Sequence, residues 1–340
     1  MALIVNETRG DVVDLQYYGH IALVDASGKK LWGVGDPNRV TYSRSSAKPM
    51  QAIPVIESGA ADRYGITQEE LAVMCASHAG DDGHVQAVVS ILEKAGLHEG
   101  YLQCGSHEPM SADMMAKHRN ESITPVAVHN NCSGKHAGML ITAKALGGNI
   151  KDYYRPEHPI QEEITRIIAQ TCDHDAAHIK LGVDGCGVPV HAMPLHKFAH
   201  GYARMSVPQV LGPDREKTAQ RITSAMINNP WMVGGTNNFT SELMKMFGDR
   251  LFCKYGANAF FAIGLKESGI GIAMKIEGGQ SCAIPLASVA VLEKISAISA
   301  EEADSARKLN SYLSAKYVKN HRGEIIGQRE TIFDLGTVNQ

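Results

Sequence analysis

Apolar and polar residues alternate along residues 19–35, with a Ser-Gly break in the middle. A period of two is typical of strands with one buried face, so this stretch predicts a β-hairpin that turns at residues 25–29. Residues 46–59 change to helical spacing and end at a glycine. Pro49 fits only the first turn of such a helix, and Pro54 is expected to kink or restart it.

A capping box is predicted at Thr67, because Glu70 lies three residues further on and an apolar run follows. Helical spacing then recurs several times along the chain, over residues 84–97, 136–146, 158–172, 215–228 and 300–314. Strand-like stretches lie at residues 178–187, 260–268 and 269–279. The order of hairpin, helices, strands and a last helix predicts an α+β fold, with one antiparallel sheet built from both chain ends and covered by helices.

Composition narrows the class of protein. The chain has 340 residues, of which 44% are hydrophobic and 20% charged, so it is long enough to bury a large core. It shows no repeat or Pro/Ser-rich linker, and we expect residues 1–340 to form a single domain. A net charge of -3 gives no reason to expect a nucleic-acid partner or an anionic membrane surface.

The N-terminal apolar run is too short for a signal peptide, and no stretch approaches the length of a membrane span. We therefore expect a cytoplasmic protein with no membrane partner. Thiols stay reduced in the cytosol, so the seven cysteines do not predict a disulfide framework.

Ser45 and Lys48 form a Ser-x-x-Lys motif at the predicted start of a helix. Residues three apart share a helix face, so a neutral lysine amine there is placed to deprotonate the serine hydroxyl. A free lysine has a pKa of about 10.4, so such a base needs burial or a nearby cation, for which Arg44 and a metal are candidates. The pattern equally fits a helix N-cap at Ser46 followed by a solvated lysine.

Three further stretches carry candidate chemistry. Ser77 lies among small residues at a helix end, a place typical either of a capping serine or of close backbone approach to a ligand. Asn130 and His136 flank a helix start, where oriented N–H groups favour an anion. Asp184 follows a predicted strand and is suited to a substrate ammonium. The spacing of Cys132 and Cys186 does not match a known zinc motif, and buried cysteine is often only an apolar residue.

Taken together and in order, these stretches resemble the bacterial L-asparaginase II family, the Rhizobium-type class 3 L-asparaginases. The resemblance rests on RSSAKPMQ, ELAVMCASHAGDDGHV, LQCGSHEP, HNNCSGKHAGML, DGCGVPVHAMPL, PWMVGGTNNFTSELM and KYGANAFFAIGL, and it covers residues 10–285. It implies a fold akin to serine β-lactamases and glutaminases, and hydrolysis of L-asparagine to L-aspartate and ammonia. It also implies a homodimer.

The resemblance also implies two Ser-Lys tandems. Ser45 with Lys48 is expected to supply the nucleophile and its base, and Ser77 with Lys254 to relay protons. Both serines stay candidates for the nucleophile. The side chains expected to bind the substrate are those of Arg44, Asn130, His136 and Asp184.

Zinc is the cofactor that the family pattern implies, with Cys132, Lys135 and Cys186 as its ligands. A lysine ligand must lose its proton before it binds a metal. One position departs from the family, which often has a glutamate where this chain has Asn258. If that acid orients Lys254, the pH dependence of this chain differs.

Two other functions fit the same residues. One is a glutaminase or β-lactamase-like serine amidohydrolase, since pocket size decides the substrate. The other is a non-catalytic zinc-binding protein that has kept the fold, although the presence of both Ser-Lys tandems argues against it.

Overall fold

The computed structural model describes residues 1–309 and 316–337. Its strands are β1 Ala2–Arg9, β2 Val12–Asp25, β3 Lys30–Val34, β4 Val40–Tyr42, β5 Lys180–Val183, β6 Pro189–Pro194, β7 Leu251–Gly256, β8 Phe260–Leu265, β9 Ile270–Ile276, β10 Tyr317–Lys319, β11 Ile325–Thr331 and β12 Gly336–Thr337. Its α-helices are α1 Lys48–Gln51, α2 Ile53–Glu57, α3 Ala60–Arg63, α4 Gln68–Met74, α5 Asp82–Lys94, α6 Ala112–Asn120, α7 Ser133–Ala145, α8 Pro159–Thr171, α9 Leu195–Ser206, α10 Pro213–Asn228, α11 Pro230–Gly234, α12 Phe239–Phe247, α13 Ala283–Lys294 and α14 Ala300–Leu309.

The main sheet is antiparallel and runs in the order β10-β11-β1-β2-β9-β8-β7, with β3 paired to β2 and β12 to β3. The hairpin predicted at residues 19–35 is the pair β2 and β3, although β2 begins earlier, at Val12. Strands from the first 34 residues pair with strands from beyond residue 250. The prediction of one antiparallel sheet built from both chain ends and covered by helices is confirmed.

Helices cover both faces of this sheet. Gly271 on β9 packs so closely on α9 that a Cβ there would collide with the Ala199 carbonyl. Met274, three residues further along β9, contacts Ser288 of α13. Residues an odd number apart on a strand point to opposite faces, so α9 and α13 lie on opposite sides of the sheet.

The helical layer between β4 and β7 carries the candidate site. Within it, β4, β6 and β5 form a small antiparallel sheet. The capping box at Thr67 is present, with the hydroxyl of Thr67 accepting from the Glu70 backbone and the Glu70 carboxylate accepting from the Thr67 backbone. Local side-chain chemistry therefore starts α4, the helix that leads to Ser77.

One helix prediction is confirmed and another is wrong. The helix predicted over residues 46–59 restarts at Pro54 as expected, giving α1 and α2 with the proline in the first turn of α2. The chain was also predicted to end on a helix, which is wrong, because β10, β11 and β12 follow α14. The end of the helix predicted at 300–314 lies outside the described residues.

One apolar cluster joins buried side chains from Ile4 to Phe333 across sheet and helices. That residues 1–340 form a single domain stays a prediction. None of the described helices is long and apolar enough to cross a membrane.

Candidate active site

Ser77 receives hydrogen bonds from two lysines. Its Oγ lies 3.2 Å from Nζ of Lys48 and 2.9 Å from Nζ of Lys254. Lys48 also donates to the carbonyl oxygens of Ala76 and of Asn131, the latter at 3.3 Å. The structure thus brings together three of the four predicted catalytic side chains around one hydroxyl.

Ser45 lies one helical turn before Lys48, in a 3₁₀ turn over Arg44–Ala47. Its side chain is half-buried, and no hydrogen bond joins its hydroxyl to any residue in the described part of the chain. The next residue, Ser46, donates to the backbone carbonyl of Lys254 at 2.7 Å, which ties this turn to β7. The Ser45 backbone is therefore fixed in this turn, while its hydroxyl has no hydrogen-bond partner among the described residues.

Two glycines allow the close approaches that build this site. A Cβ at Gly256 would collide with the carbonyl of Ser43, so glycine lets the end of β7 pack on the serine turn. A Cβ at Gly134 would collide with the carbonyl of Val73, so glycine lets α7 start against the end of α4. Chain segments far apart in sequence meet at van der Waals distance in both places.

Burial and a like charge lower the pKa of Lys254. The side chain is fully buried, and among the described residues its amine hydrogen-bonds only neutral groups, the Ser77 hydroxyl and the Tyr255 carbonyl at 2.8 Å. Desolvation is the larger cause and the nearby Lys48 ammonium adds to it, so the pKa of Lys254 lies well below 10.5. Lys254 therefore loses its proton more readily than an exposed lysine does.

Cys132, Lys135 and Cys186 form a second cluster beside the lysines. Cys132 is the N-cap of α7, Lys135 lies in the first turn of that helix, and Cys186 lies in the loop between β5 and β6. The Lys135 amine donates to the Cys186 sulfur at 3.0 Å, and the two thiols hydrogen-bond each other. Within residues 1–309 and 316–337, no three His, Cys, Asp or Glu side chains lie together in a way that could hold a metal ion. The potential metal ligands of this cluster are two cysteine sulfurs and one lysine amine.

The two thiols differ in acidity. The hydrogen bond to Cys132 is the largest effect on Cys186 and, together with the charge of Lys135, it lowers the pKa of the Cys186 thiol. That same bond and burial raise the pKa of Cys132. Burial lowers the pKa of Lys135, but the sulfurs and Asp184 outweigh it and the net shift is upward. The cluster holds a thiolate against an ammonium.

Arg44 and Asp184 connect the two clusters. The Nη2 and Nε atoms of Arg44 lie 2.7 and 2.9 Å from Oδ1 of Asp184. Burial works to raise the pKa of Asp184, but Lys135 and Arg44 hold it below its ordinary value. Arg44 has a left-handed backbone, with φ of 51°, which is unusual for a side chain of this size.

Asn130 and His136 make contacts within the protein. The Asn130 amide donates to the carbonyls of Cys104 and Gly105, while its Oδ1 accepts from the backbone N–H of Cys132. His136 is fully buried and its Nδ1 bonds the hydroxyl of Tyr153 at 2.7 Å. The structure does not bring either side chain to the Ser77 hydroxyl.

Sequence reasoning missed two groups around Ser77. The backbone carbonyls of Ala76 and Asn131 accept hydrogen bonds from Lys48, and a backbone group has no signal in the residue pattern.

Asn258, the position that departs from the family, lies on the turn after β7 with φ of 60° and is exposed.

The model of the family described as L-asparaginase II matches residues 5–331, nearly the whole length. The chain belongs to the L-asparaginase II family. Membership makes it an asparaginase-type amidohydrolase and confirms the resemblance on which the site residues were predicted.

Two solved structures are similar to this chain at low sequence identity. The chain is similar to a Bacteroides dorei protein assigned as a beta-lactamase, with 12% identity and a TM-score of 0.43, over 76% of this chain and 86% of that one. It is similar to a beta-lactamase from Mycobacterium bovis, with 13% identity and a TM-score of 0.42, over 81% and 93% of the two chains. No curated protein sequence matches at a significant level.

Proposed function

We propose that this protein hydrolyses the side-chain amide of L-asparagine to L-aspartate and ammonia through Ser45, Lys48, Ser77 and Lys254. The observation that carries the proposal is the Ser77 hydroxyl, 3.2 and 2.9 Å from the amines of Lys48 and Lys254 in a chain of the L-asparaginase II family. Amide hydrolysis needs a proton removed from the nucleophile and a proton delivered to the departing ammonia. A hydroxyl between two amines provides that path.

Ser45 is the proposed nucleophile and Ser77 the proton relay. The Ser77 oxygen already accepts hydrogen bonds from both lysine amines, so it is engaged inside the protein. The Ser45 hydroxyl is half-buried and has no hydrogen-bond partner among the described residues, which leaves it available to a substrate carbonyl.

The proposed reaction proceeds in two halves. The Ser45 oxygen bonds to the amide carbon while its proton passes to the neutral Lys48 amine. The carbon–nitrogen bond then breaks, and ammonia leaves with that proton. Water attacks the resulting ester, its proton returns through Lys48 to Ser45, and aspartate is released. Lys48 must first be neutral, and the Ser77 hydroxyl links it to Lys254, so that the two amines can exchange a proton.

Zinc is the proposed cofactor, held by Cys132, Lys135 and Cys186. The residues fit, because two thiols and an amine converge within hydrogen-bond distance, and sulfur with nitrogen is a donor set that zinc prefers. A bound zinc ion supplies a Lewis acid that polarises or orients a carbonyl group. Asp184 and Arg44 link this cluster to the serine turn and are the candidates for orienting the substrate.

Ammonia release from purified protein tests the proposal, with asparagine, glutamine and a chromogenic cephalosporin compared at equal concentration. We expect asparagine to be the preferred substrate. Preference for glutamine or the cephalosporin would mean that this protein is a different serine amidohydrolase. No turnover of any of the three substrates would contradict a catalytic function. A homodimer is proposed on the family resemblance alone, and light scattering in solution tests it.

A further inference from the structure

Trp231 is an exposed tryptophan stacked on a column of imidazoles that leads to Ser77. Its indole is 39% exposed and lines a surface cleft of about 790 Å³. The ring stacks on His84 with centroids 4.2 Å apart, and His84 stacks on His78 at 5.1 Å. His78 directly follows Ser77 in the chain. The three rings thus reach from the surface to the residue beside the relay hydroxyl.

Hydrogen bonds fix the orientation of both imidazoles. His84 Nε2 donates to the backbone carbonyl of Trp231 at 3.1 Å. His78 Nδ1 accepts from the Gly80 backbone at 3.2 Å, and His78 Nε2 lies 2.8 Å from the Ser133 hydroxyl. That hydroxyl donates its hydrogen to a backbone carbonyl, so His78 is the donor in this bond. The rings are therefore held in position at both ends.

The segment that carries Ser77 has no regular structure of its own. Residues 76–81 belong to no helix or strand, so external contacts must hold them. The Ser77 backbone N–H donates to the carbonyl of Val233 at 3.0 Å, and Val233 lies in α11 together with Trp231. The short helix α11 thus contacts this segment twice, once by a backbone hydrogen bond and once through the rings.

We propose that Trp231 is a positioning residue for the reaction, because it stacks through His84 on His78 and so holds the segment that places the Ser77 hydroxyl between Lys48 and Lys254. This inference rests on the proposed relay role of Ser77. The hydroxyl must stay within hydrogen-bond distance of two amines at once, so a shift of one ångström breaks the relay.

The test compares Trp231→Ala with Trp231→Phe, which keeps an aromatic face over His84. Lys245→Ala is the matched control, because Lys245 lines the same cleft and is not part of the column. We expect kcat of Trp231→Ala to fall about tenfold with KM within about twofold, as for a small displacement of a catalytic group. The ascending limb of the pH profile of kcat/KM should also shift in Trp231→Ala. Trp231→Phe and Lys245→Ala should match the wild type in kcat, KM and pH profile.

Wild-type kcat and pH profile in Trp231→Ala would overturn the proposal, and so would an equal loss in Trp231→Phe. If Trp231→Ala does not fold, His84→Gln takes its place, since glutamine keeps an N–H for the Trp231 carbonyl but removes the ring. Wild-type kcat in that variant also overturns the proposal. The substrate is whichever linear amide the wild type hydrolyses, so inactivity on asparagine contradicts the proposed function and leaves this comparison intact.

Discussion

Lys254 and Lys135 are buried almost equally, at 1% and 4% exposure, but their pKa values shift in opposite directions. Desolvation lowers the pKa of both amines. Lys254 has a neutral hydroxyl and a carbonyl as partners and the Lys48 cation nearby, and the three thiols around it do not outweigh the loss of water. Lys135 lies against two thiols and a carboxylate, whose charge outweighs the same penalty.

The comparison teaches that burial alone does not make a lysine a base. The Lys254 amine, whose partners are oxygen atoms, is suited to act as a base. The Lys135 amine, which lies beside sulfur, keeps its proton more strongly. A metal ion bound by both sulfurs would remove the negative charge that stabilises the Lys135 ammonium, and it would compete with the proton for the lone pair of the amine. Two buried lysines in one site can thus have two different chemical roles.

Ser45→Ala should give the largest loss of activity among these variants. We expect kcat to fall at least about 10³-fold, because a nucleophile has no substitute. Ser43→Ala is the matched control, since Ser43 is buried close by and its hydroxyl has no hydrogen-bond partner in the described structure. If Ser45→Ala keeps more than a few per cent of wild-type turnover and Ser77→Ala does not, the nucleophile is Ser77.

Lys254→Met should come next and tests the lowered pKa directly. An amine acts as a base only when deprotonated, so kcat/KM of the wild type should rise with pH, across about pH 7 to 9. Removing Lys254 should lower kcat/KM about 10²-fold, the usual worth of one acid–base group, and flatten that rise. Lys275→Met is the control, because burial also lowers the pKa of Lys275 but its amine bonds the Asn258 carbonyl instead of Ser77.

The profile must be measured on one substrate for every variant, since the amino group of asparagine titrates nearby. A wild-type profile that is flat or acidic between about pH 5 and 9 would mean that neither lysine is a general base.

Cys186→Ser tests the proposed zinc site of Cys132, Lys135 and Cys186, through the zinc content of the purified protein. The wild type should carry about one zinc per chain, and the variant almost none, because a thiolate binds zinc far better than a hydroxyl does. Cys172→Ser is the matched control, a buried cysteine whose sulfur contacts Met50 and not this cluster. Elemental analysis of protein purified without chelators decides the matter, and zinc-free wild-type protein would remove the metal from the proposal.

Thr67→Ala should have the smallest effect and separates folding from chemistry. It removes one side of the capping box at the start of α4 without touching either cluster. The free energy of unfolding should fall by about 1 kcal/mol. Denaturant unfolding and kcat measured together check it, and a large loss of kcat at this modest cost would mean that the start of α4 also positions Ser77.

The sequence alone determined the local elements of this protein. The capping box at Thr67 and the turn between β2 and β3 depend on residues within a few positions of each other, so the pattern predicted both. The restart of the chain at Pro54 follows from the missing N–H of proline in the same way. The strand β7 was not predicted, because its buried apolar residues show no alternation of polar and apolar positions.

Only the tertiary structure decided what surrounds Ser77. Its two amine partners lie 29 and 177 residues away in the chain, on α1 and β7, and β7 packs on the turn before α1 where Gly256 permits close contact. Family resemblance named Lys254, but no spacing rule relates residues on separate strands and helices. The direction of each lysine pKa was also undecided in the sequence, because it depends on which charges lie within a few ångströms after folding.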